Sequence, residues 1–174
     1  MKRQTTLVLG GAKSGKTAHA MRLAERRSQR VYIATAEAHD DEMRARIHRH
    51  RLERDATWST VEAPIDIGRA LCAIDSVDTA VVVDCATLWL SNLLLSKHDA
   101  AAAIDAILPI IKGAAADIVL VSNEVGLGIV PENNLARTFR DAHGQMNQTL
   151  AAVADRVDFV AAGLAITLKS EVAD

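Results

Sequence analysis

Gly10-Gly11-Ala12-Lys13-Ser14-Gly15-Lys16-Thr17 has the spacing G-x-x-x-x-G-K-[ST]. Glycines in such a loop let backbone N–H groups turn inward around phosphate oxygens. A helix that starts at the end of the loop presents its positive pole to the same anion. In this arrangement Lys16 reaches the β- and γ-phosphates and the Thr17 hydroxyl ligates Mg²⁺. The pattern asks for a nucleoside triphosphate with Mg²⁺. It also needs a second acidic group on the metal. Asp84, closing the apolar run Val81-Val82-Val83, is the natural candidate, with a helix N-cap or turn as its alternative role. Glu124 follows another apolar run and could reach the same rim.

A second constellation lies between Met43 and Arg54, with five arginines and two histidines. On a helix Met43, Ile47 and His50 share a face, while His48 points elsewhere. His48 and His50 are two residues apart, which splays them and disfavours a shared metal site. Nearby cations disfavour an imidazolium, which keeps His50 neutral and fit to act as nucleophile or base. The same arginines would draw in a polyphosphate. The competing reading is a solvated basic helix with a packed histidine.

These residues need strands and helices to position them. Thr6 to Leu9 reads as a strand running into the glycines, and Lys16 to Arg27 as the helix after them. Val31 to Thr35 is a second strand and Asp40 to Arg54 a helix. Gly68 to Ile74 and Leu88 to Leu95 read as helical. Ala80 to Asp84 and Ile118 to Val121 read as strands buried on both faces. Ala100 to Ala116 is an alanine-rich helix in which Pro109 predicts a kink or break. A loop with Gly126 and Gly128 precedes a long helix over about 133–155. A last β section begins at Phe159. Strands alternating with helices predict a single α/β domain over residues 1–174, with a mostly parallel sheet covered on both faces.

The 174 residues are 49% hydrophobic, enough for one core, and carry a formal net charge of −2. That balance gives no reason to expect nucleic acid as a partner, and 3% aromatics supply no stacking platform. Cys72 and Cys85 sit in apolar runs and read as buried thiols of a reducing compartment. No signal-peptide pattern and no apolar run of about 20 residues is present, so the expected location is the cytoplasm, without a membrane span.

Taken together, the motifs resemble the bifunctional adenosylcobinamide kinase / adenosylcobinamide-phosphate guanylyltransferase family of cobalamin biosynthesis. The likeness covers nearly the whole chain. It runs through the loop Gly10 to Thr17, where the family usually has Arg in place of Lys13. It includes Tyr32-Ile33-Ala34-Thr35-Ala36, Asp41-Glu42-Met43, Arg46-Ile47, His50-Arg51 and Trp58 to Pro64. Val83 to Leu93 follows, then the most specific run, Val121-Ser122-Asn123-Glu124-Val125-Gly126 through Asn133, and finally Phe139-Arg140-Asp141 with Asn147-Gln148.

The resemblance implies a P-loop NTPase-type fold and two reactions. A nucleoside triphosphate, ATP or GTP, phosphorylates the aminopropanol hydroxyl of adenosylcobinamide. His50 then attacks the α-phosphate of GTP, releasing pyrophosphate. The guanylyl group passes from His50 to adenosylcobinamide phosphate, giving adenosylcobinamide-GDP. The resemblance places the phosphates on Gly10, Gly11, Ala12, Lys13, Ser14, Gly15, Lys16 and Thr17. It lines the nucleotide site with Ala34, Thr35 and Ala36, and completes it with Arg51, Leu52, Glu53, Arg54, Glu62 and Asp84. It also implies a homotrimer whose neighbouring subunits help build the sites. One loop must serve a γ-phosphate reaction and an α-phosphate reaction. The expectation is that the nucleotide binds in two registers or that the helix carrying His50 moves.

Two other readings compete. A single-activity kinase of the shikimate-kinase type would use His50 as a substrate contact, and the Asn123-Glu124-Val125-Gly126 run argues against it. A non-enzymatic nucleotide switch conflicts with the complete Lys16, Thr17 and Asp84 set. Trp89 and Cys85 read as packing, His39 as an end-of-strand polar residue, and His98 and His143 have no partner in the sequence pattern.

Overall fold

Along the central strands, alternate residues enter two separate cores. Leu7, Ile33, Val81, Val83, Ile118, Leu120 and Val157 face one way, and Val8, Tyr32, Val82, Val119, Val121 and Val160 the other. This period of two is that of a pleated sheet covered on both faces. The computed structural model describes residues 2–38, 41, 44–45, 47–48 and 54–171.

The strands are β1 (Thr5–Gly10), β2 (Gln29–Ala34), β3 (Trp58–Glu62), β4 (Thr79–Asp84), β5 (Asp117–Val121), β6 (Arg156–Ala161) and β7 (Leu164–Ser170). They form one seven-stranded sheet in the order β3-β2-β4-β5-β1-β6-β7. All pairings are parallel except β6 with β7, an antiparallel hairpin whose turn residues Ala162 and Gly163 both have positive φ. Two turn residues of that kind match the right-handed twist of the paired strands.

The helices are α1 (Lys16–Ala24), α2 (Ile67–Ile74), α3 (Ala86–Leu95), α4 (Ala100–Gly113) and α5 (Asn134–Val153). Helices α2 to α5 pack their apolar stripes over one face, with Ile67, Leu71, Trp89, Leu90, Ile107, Ile111, Met146 and Leu150 buried there. Ala20 and Ala24 of α1 cover the other face. Each large aliphatic side chain buried this way contributes ~1.5–3 kcal/mol relative to exposure. Asp66, Asp99 and Asn133 cap α2, α4 and α5 by accepting from the N–H groups of Arg69, Ala102 and Ala136. Asp41, Arg44, Ala45, Ile47 and His48 are also helical.

Three expectations need correction, and one strand was not anticipated. Trp58–Glu62 is that strand: three of its five residues are exposed, because β3 lies at the sheet edge. Helix α4 runs through Pro109 without interruption, held by Ile107 and Ile111 on either side of the exposed proline. Helix α1 ends at Ala24 rather than Arg27. Cys72 is exposed, because α2 buries Ile67, Gly68, Ala70 and Leu71 and turns residue 72 outward, while Cys85 is buried as expected. Among the described residues no helix is long and apolar enough to cross a membrane.

Candidate active site

The parallel register aligns the carboxyl ends of the strands in a row. Glu62 pairs with Ala34, Ala34 with Asp84, Asp84 with Val121, and Val121 with Val8. Ligands in open parallel sheets bind along this rim. Beyond Val8 the chain enters the loop Gly10 to Thr17, so the sequence-predicted phosphate loop and the two rim acids lie on one edge.

The loop takes a shape that only glycine permits at two places. Gly10 has φ 152°, and a Cβ there would stand 2.2 Å from the Val160 carbonyl oxygen. Gly15 has φ 97° and occupies the N-cap of α1. No side chain caps α1, so its first N–H groups face the loop. The tip of the β6–β7 hairpin braces the loop from outside, with Gly163 N–H donating to the Ser14 carbonyl at 2.8 Å. Lys16 is buried and its ammonium donates to the Gly11 carbonyl, folded back over the loop where phosphates would lie. Lys13 and Ala12 are exposed, and Gly11, Ser14 and Thr17 half-buried.

Thr17 and Asp84 come together across 67 residues of sequence. The Thr17 hydroxyl donates to Asp84 Oδ2 at 2.7 Å, and the Tyr32 hydroxyl donates to the same oxygen at 2.7 Å. Asp84 is therefore neither a helix cap nor a turn residue. Burial, and after it the Asp84 carboxylate, pushes the Tyr32 phenol well above its ordinary range, so it stays a donor. The same two causes push the Cys85 thiol up to about 12, which removes it as a nucleophile. The Arg54 guanidinium lies 3.9 Å from the Tyr32 ring centre, and Trp58 meets that ring edge-on at 6.4 Å. Arg54 and Glu62, with Asp55, Trp58 and Thr60, line a cavity of about 420 Å³ at the β3 end of the rim.

Ala34 and Ala36 are half-buried at the end of β2. Thr35 is fully buried, and its hydroxyl accepts from Cys85 N–H and donates to Cys85 O, at 2.8 and 2.9 Å. Its side chain ties β2 to the Asp84-Cys85 corner, so it shapes the site from beneath. His50, Arg51, Leu52 and Glu53 lie outside the described residues, as does His39. In the described part of that segment, Ile47 is half-buried and His48 exposed, with Arg44 paired to Asp41 at 2.6 Å.

Sequence reasoning missed a cluster beneath the other face of the rim. His143 and Ser122 are fully buried, and Thr87 and Asn147 nearly so. His143 Nε2 lies 3.0 Å from Thr87 Oγ1, and Ser122 Oγ donates to Asn147 Oδ1 at 2.7 Å. Burial holds the His143 imidazole below its ordinary range, although the Glu124 charge pulls it back up. The cluster then grips the chain after β5: Asn123 N–H donates to Thr87 Oγ1 and Asn147 Nδ2 donates to the Asn123 carbonyl, at 2.8 and 3.1 Å. Asn147 had appeared only as part of a motif. The one local signal for His143 is its place on the stripe of Met146 and Leu150.

Residues 6–168 match the family model described as cobinamide kinase / cobinamide phosphate guanyltransferase. A bifunctional adenosylcobalamin biosynthesis protein, CobU, from Salmonella typhimurium is 43% identical over 94% of this chain and 98% of its own. Its counterpart CobP from Pseudomonas aeruginosa is 44% identical over 95% and 97%. Among solved structures, a type III secretion system ATPase superposes with a TM-score of 0.58 at 10% identity, over 97% of this chain and 57% of its own. A Pyrococcus horikoshii OT3 protein gives 0.55 at 10% identity over 99% and 90%. Both structures bear on the fold alone.

Proposed function

The chain belongs to the cobinamide kinase / cobinamide phosphate guanyltransferase family, and we propose that it carries out both family reactions on one sheet rim, with GMP passing in the second from GTP to the phosphorylated substrate by way of His50. The observation that supports this most is the Thr17–Asp84 hydrogen bond at 2.7 Å, set beside a glycine-lined loop and an uncapped helix N-terminus.

Thr17 and Asp84 fit Mg²⁺, because they offer two hard oxygen donors on the rim where triphosphate oxygens complete a coordination shell. When bound, the metal neutralises charge developing on the transferring phosphoryl group. The protein does the rest with its own groups. The N–H groups of Gly10 to Thr17 and the Lys16 ammonium hold the β- and γ-phosphates. The rim leaves the γ-phosphate open to the aminopropanol hydroxyl of adenosylcobinamide, with ATP or GTP as donor. In the second reaction His50 forms a bond to the α-phosphorus of GTP and pyrophosphate leaves. The phosphate of adenosylcobinamide phosphate then displaces His50 and takes the GMP. A nucleophile of this kind divides one hard displacement into two easier ones. The cavity lined by Arg54 and Glu62 would take the rest of the nucleotide, and Arg51, Leu52 and Glu53 are further nucleotide contacts that the family likeness implies. The nucleotide shifts register, or the His50 segment moves, between the two reactions.

The molecule works as a cytoplasmic homotrimer in this reading. Exposed Leu164, Ile166 and Leu168 on β7 and Leu127, Ile129 and Val130 after β5 are apolar surface suited to subunit contact. Sedimentation showing only monomer would remove the trimer.

The mechanism is tested with GTP labelled on the α- or the γ-phosphate, followed by denaturation. The expected result is acid-labile, alkali-stable label on the chain from α-labelled GTP only, abolished in His50→Ala. Absence of chain label while GTP still binds would reduce the protein to a plain kinase.

A further inference from the structure

Strand β5 lies between β1, which leads into the phosphate loop, and β4, which ends in Asp84. Whatever leaves the carboxyl end of β5 therefore emerges between Lys16 and Asp84, where the γ-phosphate of a bound triphosphate sits. That segment is Ser122-Asn123-Glu124.

It is held with unusual firmness for a loop. Ser122 N–H donates to the Val8 carbonyl and Glu124 N–H to the Gly10 carbonyl, each at 2.9 Å, which continues the β1–β5 ladder into the phosphate loop. Both backbone groups of Asn123 are taken by Thr87 and Asn147. Gly126 N–H donates to Glu124 Oε1 at 2.6 Å and sets the carboxylate's orientation. A Cβ at residue 126 would stand 2.9 Å from that same oxygen. The buried quartet Thr87, Ser122, His143 and Asn147 sits in a mostly apolar layer, where polar groups stabilise only if mutually satisfied. The bonds it sends to the chain after β5 end on the Asn123 backbone and so fix Glu124.

We propose that Glu124 is the proton acceptor of the phosphoryl-transfer step, and that Thr87, Ser122, His143 and Asn147 are positioning residues acting on it through Asn123. The acceptor hydroxyl gives its proton to the Glu124 carboxylate as its oxygen bonds the γ-phosphorus. The bond from that phosphorus to the β,γ-bridging oxygen breaks, and the nucleoside diphosphate leaves with the electron pair. This inference rests on the kinase reading above.

The test is Glu124→Gln, which keeps an oxygen for Gly126 N–H and sits at a half-buried position that tolerates an isostere. Kinase turnover is measured with adenosylcobinamide across pH and Mg²⁺ concentration. Guanylyl transfer is measured separately, starting from adenosylcobinamide phosphate. Loss of a general base predicts a fall of about 100-fold or more in kinase kcat. Nucleotide KM stays within about threefold, the acid limb of the pH profile disappears, and guanylyl transfer is kept within about threefold. Asn147→Ala should lower kinase kcat about tenfold, and the double variant should be no worse than Glu124→Gln alone, because coupled residues are not additive. A kinase kcat within threefold of the parent, an equal loss in both reactions, a tenfold rise in the Mg²⁺ requirement, or additive losses would each overturn the assignment. A parent protein with no kinase turnover would instead overturn the functional reading itself.

Discussion

Two polar clusters meet the same rim from opposite faces of the sheet. On the α1 face, Thr17 and Tyr32 converge on one oxygen of Asp84, and the group stays half-open toward the phosphate loop. On the α3–α5 face, Thr87, Ser122, His143 and Asn147 are sealed from solvent and hydrogen-bond among themselves. The first has a carboxylate and hydroxyls that a metal and a phosphate can take over, so its internal bonds are exchangeable. The second is buried away from water, so its bonds are shielded from exchange with solvent and hold the chain leaving β5. In the proposed mechanism, chemistry on one face relies on fixed geometry from the other.

Variants should separate the two. Lys16→Ala, on the open side, removes the cation from the transferring phosphates, and turnover should fall by about 10²–10³-fold or more, with the urea midpoint little changed. Steady-state kinetics beside urea denaturation checks both halves. Ser122→Ala, on the sealed side, leaves Asn147 Oδ1 without its donor. Unfolding free energy should fall by about 1–3 kcal/mol, read from the same urea titration, with a smaller loss of turnover than in Lys16→Ala.

Acid should distinguish the clusters more gently. The folded imidazole of His143 is held below its ordinary value, so the unfolded chain binds more protons as pH falls through the unfolded value of about 6.5. Stability is complete above that pH and declines below it, by at most about 1.4 kcal/mol per pH unit from this one group. His143→Gln should flatten the profile between pH 6.5 and 5. Asp117 and Asp158 are held low by hydrogen bonds from Arg27, Arg156, His19 and Thr167 that outweigh their burial. Their contribution is present above the ordinary carboxylate range and is lost only at more acidic pH.

The open cluster was legible in the sequence because its residues sit at ends of apolar runs with fixed spacing. The Gly10–Thr17 loop lies between β1 and α1, and Asp84 closes a five-residue buried run. The sealed cluster was not, because His143 meets Thr87 56 residues away and Ser122 21 residues away. Beyond its place on the stripe of Met146 and Leu150, nothing local distinguishes such a histidine from any other on a helix. Strand β3 escaped for another reason: an edge strand buries little, so its alternation is weak. Tyr32 shows the intermediate case, since its strand was plain but its bond to Asp84 depends on β2 and β4 being neighbours.

The most direct test of the account is Mg²⁺-dependent phosphorylation of adenosylcobinamide by Asp84→Asn, with thermal melting alongside. The amide keeps an oxygen for the Thr17 and Tyr32 hydroxyls but removes the charge. Turnover should fall by about 10²–10³-fold while Tm stays within a few degrees of the parent. Turnover within threefold of the parent would contradict the placement of the chemistry at the Thr17–Asp84 pair.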